Sequence, residues 1–254
     1  MHAPRTTARL ALLAASLNGV RVRQQRFDGA EPVRDLASAM RDRTDDFSSA
    51  VMLLDDGSVN DGRLQDAQAV LGALRARSRD TTGLVAAVST QPELWGDLRG
   101  LDGFVRADAG DAVSVAARLF TALATMTAPI LWTCLDAEDI GISLGSAARP
   151  SQLADAVWLP KREQLAFASE VDEQTFRQSS AAAAFIFVDR STSTKSAVLA
   201  LRAIAPGEQS SMYQVAVDFL LESMATSKRV HVTLLCAATC SQGAQPSTMF
   251  LEPG

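Results

Sequence analysis

From Phe47 onward, short apolar runs alternate with longer amphipathic ones, the pattern of an α/β protein. Ala50 to Leu54 is short, apolar and closed by Asp55-Asp56-Gly57, which predicts a buried strand ending in a turn. Gly62 to Ser78 then sets Leu64, Ala67, Val70, Leu71 and Leu74 at helical spacing. Leu84 to Val88 predicts a second strand, stopped by Ser89, Thr90 and Pro92, and Gly103 to Arg106 a third. A long helix follows from Asp111 to Met126, with Val113, Val115, Ala116, Leu119, Phe120 and Leu123 inward. Strands joined in this way imply a parallel sheet, because parallel neighbours need crossover connections. Upstream, Thr7 to Leu17 reads as a first helix, Gly19 to Gln25 as a strand and Pro32 to Arg43 as another helix.

Pro129 breaks the pattern and a second block begins. Ile130 to Cys134 predicts a strand entering an acidic loop with Asp136, Glu138 and Asp139, and Ile142 to Leu144 a further short strand. Pro150 sits well at the first turn of a helix reaching Trp158. After a polar stretch from Lys161 to Gln178 come a strand at Ala183 to Val188, a helix over Ser191 to Arg202, an amphipathic helix from Met212 to Met224 and a last strand at Val230 to Cys236. The second half therefore mixes strands and helices without strict alternation, and the helix from Asp111 is the joint between the halves.

Composition narrows the class. At 254 residues the chain is one or two domains, and 47% hydrophobic with 21% charged residues excludes disorder, collagen-like repeats and coiled coil as whole-chain descriptions. The longest apolar run, Ala181 to Val188, falls far short of the roughly 20 residues a bilayer span needs. Net charge is −5 and the arginines do not cluster, so no footprint for nucleic acid is present. His2, Arg5 and Arg9 before Leu10 to Leu17 have the outline of a secretory signal, but Asn18-Gly19, Arg21, Arg23 and Arg26 stand where a cleavage site belongs, and a first helix is preferred. Cys134, Cys236 and Cys240 are odd in number and unpaired in spacing, which suggests a reducing, cytoplasmic setting without a disulfide framework.

Candidate chemistry is sparse. His231, Cys236 and Cys240 point in mixed directions along a strand and its exit, with no fourth ligand for zinc. The chain has two histidines, His2 and His231, and no G-x-S-x-G elbow, which argues against a hydrolase. Asp55 or Asp56, Ser89-Thr90 and Gly103 to Arg106 outline a receiver-like arrangement, yet Arg21 to Gln25 supplies no acid pair and Arg106 stands where a Lys is needed. Asp55-Asp56-Gly57 is then simply a turn. Trp95, Trp132 and Trp158 read as core or joint residues, or as interface markers if exposed.

The order of elements and several strings resemble the tubulin/FtsZ superfamily. Ser48 to Pro92 sits where that family has a strand, a glycine-rich phosphate loop, a helix and a strand ending in T-x-P, and Asp111 to Thr127 is similar to its core helix. Cys134-Leu135-Asp136-Ala137-Glu138-Asp139-Ile140 is similar to the N-x-D-x-x-D loop, Gly141 to Ala147 to the strand and turn after it, and Arg229 to Leu235 to the R-V-T-V-I strand. The resemblance implies an α/β, Rossmann-like parallel sheet over residues 1–110, joined by a core helix at 111–127 to a smaller α+β domain at 128–254. It also implies that Asp136 and Asp139 enter the nucleotide site of a neighbouring subunit, a role suited to carboxylates that orient water. The same carboxylates can instead cap the segment that follows, which is preferred to catalysis; the functional role left for Asp136, Glu138 and Asp139 is docking on a partner.

The departures from the family decide the expected function. A phosphate loop offers backbone N–H groups at a helix N-terminus and uses glycines for close approach. Asp55 to Gly62 keeps two glycines and carries three aspartates with no Lys or Arg, and like charges a few ångström apart cost on the order of 1 kcal/mol each. Leu10 to Val20 holds only Gly19, and the stretch from Pro92 to Gly103 is short. The expectation is a non-hydrolysing FtsZ-like structural or regulatory protein, a pseudo-GTPase without cofactor or metal, that assembles with itself or binds a partner protein. The alternatives are a trans-activator of GTP hydrolysis by a true FtsZ, acting through Asp136 and Asp139, and a degenerate receiver-like signalling domain.

Overall fold

The computed structural model describes residues 9–16, 19–28, 47–54, 61–76, 84–108, 110–124, 130–133, 135, 137–179, 181–188, 194–204, 210–217 and 230–238. The expected helix at Pro32 to Arg43, together with Asp55, Asp56, Cys134, Asp136 and Cys240, lies outside the described residues.

Among the described residues, two sheets and five α-helices stack in alternation. The first sheet has the order β2-β1-β3-β4-β5, formed by β1 (Arg9–Ser16), β2 (Gly19–Asp28), β3 (Phe47–Leu53), β4 (Leu84–Ser89) and β5 (Gly103–Arg106). β3, β4 and β5 are parallel, as the alternating pattern requires, and β1 and β2 add an antiparallel hairpin at the β3 edge. The second sheet has the order β6-β10-β9-β11-β7-β8, from β6 (Ile130–Thr133), β7 (Gln152–Leu159), β8 (Gln164–Phe167), β9 (Ala181–Val188), β10 (Ser210–Val217) and β11 (Val230–Ala237). It is mixed: β9 and β10 run parallel and the other pairs antiparallel.

The two faces of each strand explain the layers, since alternate side chains point to opposite sides. Ala50, Met52, Leu54, Val85, Ala87 and Phe104 bury one face of the first sheet against Ala67, Val70, Leu71 and Leu74 of α1 (Asp61–Arg75). Val51, Leu53, Ala86, Val88 and Val105 form the other face. They meet α2 (Ala112–Ala124) and α3 (Ala137–Ser143) in a core that also takes Phe185 and Phe187 of β9 and Leu235 of β11. The remaining face of the second sheet, with Ala154, Ala156, Trp158, Ile186, Val232 and Leu234, is covered by Phe176 of α4 (Glu170–Gln178) and by Ala197, Ala200 and Ile204 of α5 (Thr194–Ile204). Helix α2 thus lies between the two sheets, with Leu119, Phe120 and Leu123 fully buried.

Four expected elements differ. The helix expected over Thr7 to Leu17 is strand β1, where an Ala- and Leu-rich segment pairs with β2 on one side and β3 on the other, and tertiary pairing outweighs helix propensity. The helix expected from Pro150 to Trp158 is β7, whose period-two burial of Ala154, Ala156 and Trp158 fits a sheet. Of the helix expected from Met212 to Met224, residues 212–217 belong to β10, held between β9 and β6, and the rest lies outside the described residues. The short strand expected at Ile142 to Leu144 belongs to α3 and its exit. The polar stretch from Lys161 to Gln178 contains β8 and α4, whose Ser169 caps the helix by accepting from the Asp172 N–H at 3.1 Å. Among the described residues no helix is long and apolar enough to cross a membrane.

Candidate functional site

The acidic segment read as an interface loop folds largely as α3. Ile140 and Leu144, four residues apart, are buried in the core between the sheets, so the segment needs one inward side at helical spacing. Glu138 and Asp139 occupy the first turn, where carboxylates complement the helix dipole. The Ser143 hydroxyl donates to the Asp139 carbonyl at 3.2 Å, and Leu144 N–H donates to Ile140 O at 2.9 Å. Glu138 and Ile142 are also four apart and form the outward side. Glu138 is exposed, and Ile142 is 69% exposed, the most exposed of the large apolar residues described. Asp139 is half-buried, and Asp136 lies outside the described residues.

The exit of α3 is held rigidly against β5. Phe104 N–H donates to Gly145 O at 2.7 Å, Arg106 N–H to Ser151 O at 2.8 Å and Ser151 N–H to Phe104 O at 3.0 Å. The buried Ser151 hydroxyl donates to Ser143 O at 2.6 Å, satisfying a carbonyl at the helix C-terminus. Backbones approach so closely here that side chains are excluded. A Cβ on Gly103 would lie 2.5 Å from Leu144 Cβ and 2.7 Å from Gly145 O, and one on Gly145 would overlap Arg149 O and Ser151 N. Behind this junction, Arg118 of α2 pairs with Asp155 of β7.

The other residues singled out in the sequence are scattered. His231 lies in β11 opposite Val157 and Phe187, and Cys236 is buried five residues further on. Burial pushes the Cys236 thiol up to about 12 from an ordinary 9.0, a hydrogen bond with Ser179 works in the opposite direction, and Asp172 adds to the rise. Such a thiol is neutral and inert. No group of His, Cys, Asp and Glu suited to a metal ion occurs among the described residues. Trp95 and Trp158 are buried, in keeping with core roles. Arg106 closes β5 and pairs with Glu93 at 2.8 Å on the surface.

No family model matches the chain, and no curated protein matches it. Solved structures do. The chain is similar in fold to FtsZ and CetZ structures. An FtsZ mutant from M. jannaschii matches with 12% identity and a TM-score of 0.46, over 82% of this chain and 69% of that one. CetZ from Methanosaeta thermophila matches with 10% identity and a TM-score of 0.44, over 81% of this chain and 65% of that one. An empty FtsZ dimer from M. jannaschii gives 13%, 0.34, 75% and 55%. At such identities and TM-scores the likeness says nothing of nucleotide binding or assembly.

Ile142 is the residue of this surface that the strand expected at Ile142 to Leu144 hides. Its signal was the spacing: with Ile140 and Leu144 inward on a helix, Ile142 has to face out.

Proposed function

We propose that the chain is a non-hydrolysing structural or regulatory protein that works by docking a protein through the outward side of α3. The observation that carries this reading is the exposure of Ile142 one turn from the exposed carboxylate of Glu138. A branched apolar side chain beside an acid suits a partner surface with an apolar socket and a basic rim. The division into residues 1–110, 111–127 and 128–254 belongs to the same reading.

A partner other than a second copy is favoured on charge. If copies met head to tail in the way the family resemblance implies, Asp136, Glu138 and Asp139 would face Asp55, Asp56 and Asp61, acid against acid. The composition of Asp55 to Gly62, with three aspartates and no cation, likewise supports a role without nucleotide turnover.

Site-specific photo-crosslinking in cells that make the protein tests the docking surface. With a photoreactive residue at Ile142 the expected result is a discrete protein adduct that disappears when Glu138→Lys is added. The same probe at Val171, 64% exposed on α4, is the control. No adduct at Ile142, or an equal adduct at Val171, would overturn the reading.

A further inference from the structure

A cleft of about 380 Å³ opens where strands of both sheets end: β5 at Arg106 and β11 at Cys236 and Ala237. Arg149 lines it from the turn before β7, Gln152 from the start of β7, and Gln178 and Ser179 from the end of α4. Its size falls within the range of small-molecule sites. Its charge is unlike that of the chain. The protein carries −5 overall, yet the lining holds two arginines and no Asp or Glu.

Arg106, Gln152 and Gln178 keep donors for a ligand. Arg106 spends Nη2 on Glu93 in a pair whose side chains are 40% and 52% exposed, and a guanidinium has further N–H groups in the same plane. An exposed pair of this kind is worth little and yields easily to a ligand. Gln152 uses its amide oxygen to accept from the Thr175 hydroxyl at 3.2 Å, which leaves its NH2 to donate. Gln178 is exposed at the rim. The buried Cys236 supplies a small, uncharged floor.

We propose that this cleft binds a small organic anion through a carboxylate or phosphate group, held by the guanidinium groups of Arg106 and Arg149 and by the amides of Gln152 and Gln178. Planar guanidinium groups match both oxyanions in bidentate fashion. The absence of carboxylates from the lining spares the ligand like-charge repulsion there.

Calorimetric titration of the full chain at fixed ionic strength, with inorganic phosphate and with glutarate, tests the site. The expected result is saturable one-to-one binding of at least one anion. Binding of phosphate alone assigns a phosphorylated ligand, and of glutarate alone a carboxylic acid. Arg106→Gln should weaken it about tenfold, the scale of a lost charge-assisted hydrogen bond. Gln178→Glu, an exposed change that leaves the fold intact, should weaken it at least as much by adding a like charge. Lys161→Gln, outside the cleft, should change nothing. Lack of saturable binding of either anion, or binding that survives both Arg106→Gln and Gln178→Glu undiminished, would overturn the assignment.

Discussion

Arg118 of α2 and Asp155 of β7 form an ion pair that ties the central helix to the second sheet. Arg118 donates through Nη1 to Asp155 Oδ2, while its Nη2 reaches Asp111 Oδ2 at 3.3 Å. Asp155 is used on every side: Oδ1 accepts from the Thr233 hydroxyl at 2.9 Å, and its N–H donates to Asp172 Oδ1 at 3.0 Å. Helix α2 and strand β11 therefore meet at the Asp155 carboxylate on β7, and helix α4 joins them through the Asp155 backbone N–H.

Removing that carboxylate strands its partners. Asp155→Ala leaves a partly buried guanidinium whose one remaining ion pair among the described residues is the longer, exposed contact to Asp111, and leaves the Thr233 hydroxyl without its acceptor. Losing a charged partner in such a setting costs about 2–3 kcal/mol. Urea unfolding should show that loss, and Arg118→Met combined with Asp155→Ala should cost less than the two single changes added together.

Two glycines should respond in opposite senses to the same substitution. Gly145→Ala forces a Cβ into the backbone at Arg149 and Ser151, and a destabilisation of about 2 kcal/mol or more is expected. Gly72 is exposed within α1 and has open space around its Cα, so Gly72→Ala should stabilise by about 0.5–1 kcal/mol. Thermal melts of the two variants separate steric exclusion from helix propensity.

Cys236 couples folding to pH at the alkaline end. Its thiol titrates near 9.0 in the unfolded chain and near 12 in the folded one, so the native state holds the proton more tightly. The resulting stability is fully present below pH 9.0 and is lost as pH rises toward 12. Cys236→Ala should flatten the fall in urea midpoint over that window. Alkylation mapped by mass spectrometry should label Cys236 only after the fold is opened.

Much of this architecture is legible in the sequence, and the failures have physical causes. Strands β3, β4 and β5 and helices α1 and α2 were readable because turns or polar residues bound them and their periods are clean. The segment from Gln152 to Leu159 misled because Pro150 suits a helix start, although Ala154, Ala156 and Trp158 already alternate. In β1, Ala and Leu favour a helix locally, and only pairing with two neighbours makes it a strand. The acidic character of the candidate surface was visible in Glu138 and Asp139. Its apolar centre was not, because three residues from Ile142 to Leu144 fit either period. The cleft beside Arg106 was invisible, since its lining comes from distant stretches brought together by the two sheets.

Neighbouring isoleucines on α3 should behave as opposites. Ile140 is fully buried and Ile140→Ala should cost about 2–4 kcal/mol, whereas Ile142→Ser should stay within about 0.5 kcal/mol of the native chain. Chemical denaturation of both variants distinguishes a surface kept for contact from one needed for folding.

The central claim is that this chain acts by protein contact and not by turning over nucleotide. Equilibrium titration of GTP and GDP against the full chain, with magnesium present, tests it most directly. The acidic stretch from Asp55 to Gly62 predicts no saturable binding of either nucleotide. Saturable binding in the micromolar range that survives Arg106→Gln would contradict the account.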